Sequence, residues 1–414
     1  MGKVDVAVVG AGIVGVAIAL ELADQGYGTV LIDPAEPGAG TAAGSAGYLA
    51  DSEMFPLANA RLLPRLPAML FDPLGPLVIR LAYAPHLIGY GLRFLAAMRP
   101  ARYARAVRAL ASLNRLALDS LFALAERANA AEFVVREGAI VAFRSQRALD
   151  ELRGDLPLLA ANGVPSEVLD ATRLHALEPA LAGDLAGAVY FPKEGRCNDP
   201  GAFGERLAQG AANAGATFVR GRATGLEAET DGSWRVELEG AAALEARRVV
   251  VAAGAWSGPL VRALGYRVPL ETQRGYHLML PDPGPSPKRV VLFGEPHFCA
   301  TPMRGGLRLA GTVEFAGLEA PMNPRRSDML YELASRYLPG MRREGATRWM
   351  GFRPSFPDSL PAIGAAPRHR NLFYCFGHEK LGLTQAAVSA QCIAALVAAR
   401  PPDVDLTPFS LERF

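Results

Sequence analysis

The sequence predicts an α/β protein in which a parallel sheet begins at the N-terminus and a second, α+β domain is built on an antiparallel sheet. Three observations lead to this prediction. A β-branched run over residues 4–9 enters a glycine-rich turn and a helix, and another run over residues 248–251 enters small residues. Short strand patterns recur over residues 266–345. The chain of 414 residues is long enough for two such domains.

The first turn has the G-x-G-x-x-G spacing. Gly10, Gly12 and Gly15 follow the first strand at once, and the apolar run over residues 14–22 predicts a buried helix. Glycines at these positions permit a tight turn, close approach of the backbone to a pyrophosphate, and close helix–strand packing. The second strand ends at Asp33, whose carboxylate is expected to bind ribose hydroxyls. This order predicts a site for an ADP-containing dinucleotide; the alternative is a βαβ turn that binds no ligand.

Composition excludes several classes of function. A net charge of +2 argues against a nucleic-acid partner, which requires a concentrated basic face. The four cysteines lie far apart and the six histidines are scattered, so no metal site is predicted. The cysteines are interpreted as reduced thiols of a cytoplasmic protein. The apolar run over residues 6–20 is too short to span a bilayer and includes the glycine turn.

Residues 74–110 alternate apolar side chains with arginines. These arginines are Arg80, Arg93, Arg99, Arg102, Arg105 and Arg108. A basic amphipathic helix can lie on an anionic membrane surface, here the inner face of the plasma membrane. It can equally be an ordinary surface helix packed on the core, and the sequence leaves both interpretations open.

Further elements follow from periodicity and from the positions of Gly and Pro. Helices are predicted over residues 85–130, 147–161, 202–214, 327–337 and 384–399. Strands are predicted over residues 29–32, 137–143, 189–192 (an edge strand), 217–220, 277–280, 290–293, 307–311 and 371–378, with a hairpin over residues 224–239. The predicted dinucleotide domain comprises residues 1–85, 196–265 and 346–414, and the second domain comprises residues 86–195 and 266–345.

Further motifs follow the first turn in order along the chain. They are Gly44-Ser45-Ala46-Gly47, Ala252-Ala253-Gly254-Ala255-Trp256-Ser257, Gly275-Tyr276, Pro324-Arg325-Arg326, Gly351-Phe352-Arg353-Pro354 and Gly377-His378-Glu379-Lys380-Leu381-Gly382-Leu383-Thr384. Over nearly its whole length the sequence resembles the FAD-dependent amine oxidoreductases of the D-amino-acid oxidase and glycine oxidase superfamily. It looks most like the bacterial D-amino-acid dehydrogenases. The resemblance implies a glutathione-reductase-like, FAD-binding Rossmann domain.

The resemblance also implies FAD as the cofactor. The residues expected to bind it are Gly10, Gly12, Ile13, Val14, Gly15, Asp33, Pro34, Gly44, Ser45, Ala46, Gly47, Ala253, Gly254, Trp256, Gly351, Gly377, His378, Lys380, Leu381, Gly382, Leu383 and Thr384. No cysteine is in a position that suggests a covalent link to the flavin.

Arg353, Tyr276, His378 and Tyr48 are the candidate catalytic residues. In relatives the Gly-x-Arg-Pro arginine pairs with the substrate carboxylate, and a planar guanidinium can do so through two hydrogen bonds. The alternative for Arg353 is an ordinary interdomain ion pair. Each tyrosine either bonds the carboxylate, walls the side-chain pocket, or belongs to the core.

The sequence His378-Glu379-Lys380 departs from the commoner Gly-His-Gly-x form of the D-alanine-type dehydrogenases. This departure resembles the hydroxyproline-catabolism branch, which acts on D-proline-like imino acids. The charges of Glu379 and Lys380 are expected to change the substrate side or the acceptor side of the flavin. The alternative is a solvated ion pair on the loop surface.

The reaction implied by the resemblance is oxidation of a D-amino or cyclic imino acid by hydride transfer from Cα to flavin N5. The electrons are expected to pass to a membrane quinone or another non-oxygen acceptor. Three alternatives remain open. They are a glycine- or sarcosine-type oxidase that uses oxygen, an L-2-hydroxy-acid or glycerol-3-phosphate dehydrogenase, and an FAD-binding non-catalytic subunit of a heteromeric dehydrogenase.

Overall fold

A parallel sheet and a mostly antiparallel sheet organise the chain, and a computed structural model describes residues 3–72 and 74–414. The strands are β1 (Val4–Val9), β2 (Thr29–Asp33), β3 (Tyr48–Leu49), β4 (Leu77–Ile79), β5 (Val134–Val135), β6 (Ala139–Phe143), β7 (Glu167–Asp170), β8 (Gly187–Phe191), β9 (Gly195–Cys197), β10 (Thr217–Arg220), β11 (Ala223–Ala228), β12 (Trp234–Leu238), β13 (Leu244–Val251), β14 (Glu271–Leu280), β15 (Val290–Phe293), β16 (Phe298–Met303), β17 (Gly306–Phe315), β18 (Thr347–Ser355), β19 (Ala362–Ala365) and β20 (Leu372–Phe376). The α-helices are α1 (Ile13–Asp24), α2 (Leu66–Phe71), α3 (Ile88–Ala97), α4 (Pro100–Arg127), α5 (Gln146–Arg153), α6 (Leu156–Ala161), α7 (Ala171–Leu177), α8 (Pro200–Asn213), α9 (Ser257–Ala263), α10 (Arg325–Ala334) and α11 (Gly382–Val397).

The first sheet is the predicted dinucleotide-type sheet. Strands β10, β2, β1, β13 and β20 pair in parallel in that order. The hairpin β11–β12 joins the first half of β13 in antiparallel fashion, and β19 pairs with β20. Successive side chains of β1 alternate between two cores, because Val6 and Val8 face α1, α4 and α11 while Ala7 and Val9 face the opposite side. Both faces are therefore buried, which explains the uninterrupted apolar run.

The second sheet has the order β18-β14-β17-β16-β15-β6-β8-β7, with β4 beside β17. Its pairings are antiparallel apart from β15–β6 and β17–β4. Helix α10 covers one face, where Leu330 and Leu333 share a core with Leu278 and Leu309. A short sheet of β3, β9 and β5 lies beside these two sheets.

Three element predictions are wrong. The helix predicted over residues 85–130 is divided into α3 and α4, because Pro100 begins a new helix. The strand predicted at an edge is β8, which pairs with β6 on one side and β7 on the other. Pro192 follows the end of this strand, so it removes no hydrogen bond from the sheet. The helix predicted over residues 147–161 is broken into α5 and α6, because Pro157 lacks an N–H and begins a new helix instead.

The five-segment domain division stays a proposal, and the packing of three elements disagrees with its boundaries. Strand β4 lies within residues 1–85 but pairs with β17 of the second sheet. Helix α4 shares the core of the first sheet, where Leu113 and Leu121 are buried together with Ile18 and Ile393. Strand β18 pairs along its length with β14 and so belongs to the second sheet. We therefore propose that α4 goes with the dinucleotide domain and β18 with the second domain.

The first turn brings three backbones into close contact. Gly10 has φ +108°, and a Cβ built on it would lie 2.4 Å from the carbonyl oxygen of Ala252 at the end of β13. A Cβ on Gly15 would lie 1.8 Å from the carbonyl oxygen of Gly10. Because side chains are absent at both positions, the start of α1 packs directly on the ends of β1 and β13.

We predict that Gly15→Ala destabilises the fold. The added methyl group meets backbone that cannot move aside, so we expect the free energy of unfolding to fall by about 3 kcal/mol. Chemical denaturation followed by tryptophan fluorescence measures this change.

Gly91→Ala is the matched control, because a Cβ on Gly91, within α3, has nothing within 4 Å. This control should raise stability slightly, by about 0.5–1 kcal/mol. Equal stabilities of the two variants would contradict the packing described for the first turn.

Candidate functional site

A cavity lies between the glycine turn of the first sheet and strands β14, β17 and β18 of the second. Most of the predicted cofactor residues line it: Gly10, Gly12, Ile13, Val14, Asp33, Gly44, Ser45, Ala46, Ala253, Gly254, Trp256, Gly351, Gly377, His378, Lys380, Gly382 and Leu383. Of the candidate catalytic residues, Arg353, Tyr276 and His378 line it as well.

Some predicted residues are not among those that line this cavity. They are Gly15, Pro34, Gly47, Leu381, Thr384 and Tyr48. Gly15 and Gly47 pack on backbone behind the wall, since a Cβ on Gly47 would lie 2.4 Å from the carbonyl oxygen of Cys197. The Thr384 hydroxyl faces the carbonyl oxygen of Tyr48, 3.5 Å away. Gly15, Gly47 and Thr384 therefore support the cavity wall without forming its surface.

The end of the cavity beside α1 has the features of an anion site. Gly12 precedes the helix without a side-chain cap, and a Cβ built on it has nothing within 4 Å. Unpaired N–H groups in the first helical turn attract phosphate. The Asp33 carboxylate accepts hydrogen bonds from the N–H groups of Ala11 and Ala35, both at 2.8 Å. Each of its oxygens keeps a further lone pair for a ribose hydroxyl. These residues fit the pyrophosphate and ribose of FAD.

A 3₁₀ turn, Thr41–Gly44, crosses from the first sheet to the second and is tightly held there. The Thr41 hydroxyl donates to the carbonyl oxygen of Phe352 at 3.1 Å, and a ring nitrogen of His277 lies 2.8 Å from the carbonyl oxygen of Gly44. Arg308 donates to the carbonyl oxygens of Ser45 at 2.7 Å and Ala43 at 3.2 Å. The small residues here belong to a fixed segment of the wall and not to a flexible loop.

Trp349 is a wall residue that sequence reasoning missed. Its ring stacks on His277 with centroids 5.0 Å apart. A Cβ on Gly44 would lie 2.3 Å from the indole, and one on Gly351 would lie 2.1 Å from it. Glycine is required at these two positions because the indole fills the space. The signal was available in the sequence, since Trp349 and Gly351 alternate along one strand.

Arg353 reaches the cavity from β18 across β14. A Cβ on Gly275 would lie 2.4 Å from the guanidinium carbon, so the side chain lies directly over that glycine. The guanidinium donates to the carbonyl oxygen of Thr312 at 3.2 Å, where the β14–β17 register shifts and Thr312 has φ +61°. Among residues 3–72 and 74–414, no carboxylate lies within 4 Å of the Arg353 guanidinium. Burial lowers the pKa of Arg353. Arginine remains charged under such conditions, so this cation is available to an anion in the cavity.

The two candidate tyrosines have different surroundings. Tyr276 lines the cavity, but its hydroxyl donates to Glu314, and burial raises the pKa of Tyr276 to about 12. Glu314 also accepts from Arg80 at 2.8 Å. Tyr48 lies outside the cavity lining and donates to the buried carboxyl of Glu194. Tyr276 is therefore a residue of the cavity wall. Tyr48 matches the alternative that the tyrosine belongs to the core.

The segment after β20 contains groups of different charge. The His378 ring lies 3.0 Å from the Ser389 hydroxyl, and burial lowers the pKa of His378 to about 3, so the ring is neutral. Lys380 forms an ion pair with Glu53 at 2.5 Å. Glu379 lines the cavity with φ +50°. The two charged residues thus do not form the solvated ion pair considered from the sequence.

Other wall residues were also absent from the predicted set. They are Gly40, Thr41, Ala42, Ala252, Ala255, Gly275, Ala310, Phe352, Pro354, Cys375, Phe376 and Glu379. Six of them lie inside the recognised motifs, and Ala42, Cys375 and Phe376 lie within two residues of one. Ala310 lies on β17, far from any motif, and only the sheet pairing brings it to the cavity.

The model of one protein family, described as FAD dependent oxidoreductase, matches residues 5–396 of this chain. The chain belongs to the DAO family of FAD-dependent oxidoreductases. The predicted resemblance, the fold class and FAD as cofactor are thereby confirmed. Within the described residues of this DAO-family protein, no cluster of three or more His, Cys, Asp or Glu side chains could hold a metal ion.

Curated relatives and solved structures agree with this assignment. A protein named D-amino-acid oxidase from Bradyrhizobium diazoefficiens is 38% identical over 99% of this chain and 98% of its own length. A D-amino acid dehydrogenase from Methylobacterium sp. strain 4-46 is 32% identical over 99% of both chains. The structure of glycine oxidase from Geobacillus kaustophilus matches all of both chains with a TM-score of 0.76 at 24% identity, which shows the shared fold.

Two buried histidines predict how the stability of this DAO-family protein depends on pH. Burial lowers the pKa of His277 to about 4 and that of His378 to about 3, against 6.5 ordinarily. The unfolded chain binds their protons first, so stability falls as the pH falls below 6.5. Each histidine contributes a loss of about 1.4 kcal/mol per pH unit until its folded pKa is reached.

We expect His277→Asn to remove one such contribution between pH 6.5 and about 4. Asparagine keeps a donor toward the Gly44 carbonyl, so the variant should still fold. Unfolding midpoints measured across this range test the difference in slope. His175→Asn, at an exposed histidine of α7, should keep the wild-type slope. Identical slopes for all three proteins would refute the buried, neutral state of His277.

Proposed function

We propose that this enzyme oxidises a D-amino acid or a cyclic imino acid, with D-proline-like substrates favoured. The observation that carries the proposal is the guanidinium of Arg353, which lies in the cavity without a carboxylate partner among the described residues. The relatives named D-amino-acid oxidase and D-amino acid dehydrogenase support this substrate class. The Gly-His-Glu sequence favours an imino acid by its resemblance to the hydroxyproline branch.

Arg353 holds the substrate by its carboxylate and so fixes the position of Cα. Gly275 leaves room for the guanidinium, and the carbonyl oxygen of Thr312 orients it. Trp349 and Phe352 line the same cavity and exclude water from the bound substrate. FAD, when bound, supplies the acceptor for the two electrons and the hydrogen that leave Cα. The protein contributes orientation and the placement of charge.

We further propose that the electrons pass to a membrane quinone or another non-oxygen acceptor. The relative named dehydrogenase supports a non-oxygen acceptor, and the relative named oxidase supports the alternative acceptor, oxygen. The surface described next favours the quinone, because an enzyme that docks on a membrane has access to acceptors dissolved there.

Residues 63–108 carry an apolar-basic surface. Its exposed apolar side chains are Leu63, Leu70, Phe71, Leu81, Ile88, Leu92 and Leu95, and its exposed arginines include Arg93, Arg99, Arg102, Arg105 and Arg108. Residues 54–118 contain nine arginines against one acidic residue, Asp72. Leucines exposed beside unpaired arginines suit an anionic lipid surface. No helix in the described ranges has the length and apolar composition to cross a bilayer, so contact would be peripheral.

The experiment that tests the substrate class is anaerobic mixing of the purified holoenzyme with D- and L-amino acids, including D-proline and hydroxy-D-proline, and with L-2-hydroxy acids. Bleaching of the flavin absorbance by D-isomers alone is expected. Bleaching by hydroxy acids alone, or by no compound, would overturn the proposal in favour of a hydroxy-acid dehydrogenase or a non-catalytic subunit. We expect a soluble quinone to reoxidise the reduced flavin quickly and oxygen to reoxidise it slowly. Rapid peroxide formation in air would favour the oxidase.

We predict that Arg353→Ala lowers kcat/KM for the fastest amino acid by about 1,000-fold, equivalent to about 4 kcal/mol. The variant should retain bound FAD, because Arg353 has no predicted contact with the phosphates or ribose. Arg348→Ala is the control, since Arg348 lies on the same strand but pairs with Asp328 away from the cavity. An Arg353→Ala enzyme with wild-type kcat/KM would refute the role assigned to this side chain.

We also predict that Leu92→Glu weakens sedimentation with phosphatidylglycerol vesicles by about tenfold or more. Leu92 is 65% exposed at the centre of the apolar-basic surface, and the change removes apolar contact and adds a repelled charge. Ala241→Glu adds the same charge at a distant exposed turn between β12 and β13 and should bind like the wild type. Failure of the wild type to sediment with these vesicles would exclude the docking proposal.

A further inference from the structure

Glu379 lines the cavity, and the function proposed above gives its carboxylate no contact with the substrate. Its carboxylate has no hydrogen-bond or ion-pair partner among residues 3–72 and 74–414, although the residue is mostly buried. The neighbouring cation, Lys380, is engaged by Glu53 at 2.5 Å. A carboxylate left unpaired in a partly buried site is costly unless a ligand supplies the opposite charge.

The backbone fixes where this carboxylate lies. The N–H of Glu379 donates to the carbonyl oxygen of Pro354 at 2.9 Å, so Glu379 sits beside the residue that follows Arg353. Glu379 has φ +50°, a conformation that directs the segment after Gly377 back toward β18. An unpaired cation and an unpaired anion therefore line neighbouring parts of one cavity. The two charges together match an α-amino acid zwitterion.

We infer that Glu379 binds the ammonium group of the substrate opposite Arg353 and takes one proton from it before oxidation. In this step an N–H bond breaks, an O–H bond forms on the Glu379 carboxylate, and the electron pair stays on nitrogen. The neutral amine has the lone pair that oxidation at Cα by FAD requires, while an ammonium has none. The inference rests on the proposed function and assigns a proton acceptor to it.

The surroundings of Glu379 agree with such a role. Burial raises the pKa of Glu379, while the Lys380 and Arg353 cations oppose this shift and the Glu53 carboxylate adds to it. Burial raises the pKa of Tyr90 on α3, the Glu379 charge adds to this shift, and the Tyr90 hydroxyl lies 3.1 Å from that of Ser355. A carboxylate with a raised pKa is a better proton acceptor than one in water. The charges that act on it come from β18, from its own segment and from the segment after β3, and the neutral titratable phenol of Tyr90 comes from α3.

The first test measures flavin reduction by the fastest substrate in stopped flow across pH 6–10. Glu379→Gln should slow reduction by about 100-fold at pH 7 and approach the wild-type rate above the pKa of the substrate amine, where no proton acceptor is needed. Glu379→Asp keeps the carboxylate and should fall between the two. Glu319→Gln, at an exposed position, should match the wild type. FAD content confirms that each variant is folded.

The second test uses binding without turnover. α-Aminoisobutyrate is a zwitterion that lacks a hydrogen on Cα, and isobutyrate lacks its ammonium group. By calorimetry, Glu379→Gln should bind α-aminoisobutyrate about tenfold more weakly and isobutyrate no more weakly than the wild type.

The outcomes separate the two proposals. A wild-type enzyme that amino acids reduce, together with a Glu379→Gln variant of unchanged pH profile and unchanged affinity for α-aminoisobutyrate, would overturn the role of Glu379 alone. A weaker affinity without a changed pH profile would refute the proton transfer. A wild-type flavin that no amino acid bleaches would overturn the proposed function and this inference with it.

Discussion

The direct contact of three backbones at the first turn is the constraint on which the rest of the structure depends. Gly10 and Gly15 carry no side chains, so the start of α1 can pack against the ends of β1 and β13. That packing directs the uncapped N-terminus of the helix into the cavity, where the anion site forms. A single methyl group in this contact would move the helix and the phosphate site together.

The second constraint is the set of hydrogen bonds that join the two sheets. His277 and Arg308 hold carbonyl oxygens of the segment over residues 43–45, and Thr41 is bonded to Phe352. His277 and Arg308 donate from the second sheet to this segment, and Thr41 donates from the segment to the second sheet. The cavity is thus a product of the interface, and Arg353 is positioned by the second sheet relative to a cofactor site formed by the first.

The fold and the cofactor end of the site could be predicted because their signals are local. The glycine spacing, the acid at Asp33 and the apolar runs each lie within a few residues of one another. The substrate end depends on pairing between distant strands, which local patterns do not report. The register shift at Thr312 and the position of Ala310 both depend on how β14 pairs with β17. The surroundings of Tyr48 could not be predicted for the same reason, because the residue that its hydroxyl contacts, Glu194, is distant in sequence.

The bond between Arg80 and Glu314 connects the outer surface with the interior in a way that matters for protein engineering. Strand β4 and Arg80 precede the exposed leucines of α3, and Glu314 accepts hydrogen bonds from both Arg80 and Tyr276. A shortened protein that lacks residues 63–108, designed to improve solubility by removing the apolar-basic surface, would also lack this guanidinium. The buried carboxylate would then lose a counter-ion next to the substrate pocket. Replacing the exposed leucines one at a time would improve solubility and keep the ion pair between Arg80 and Glu314.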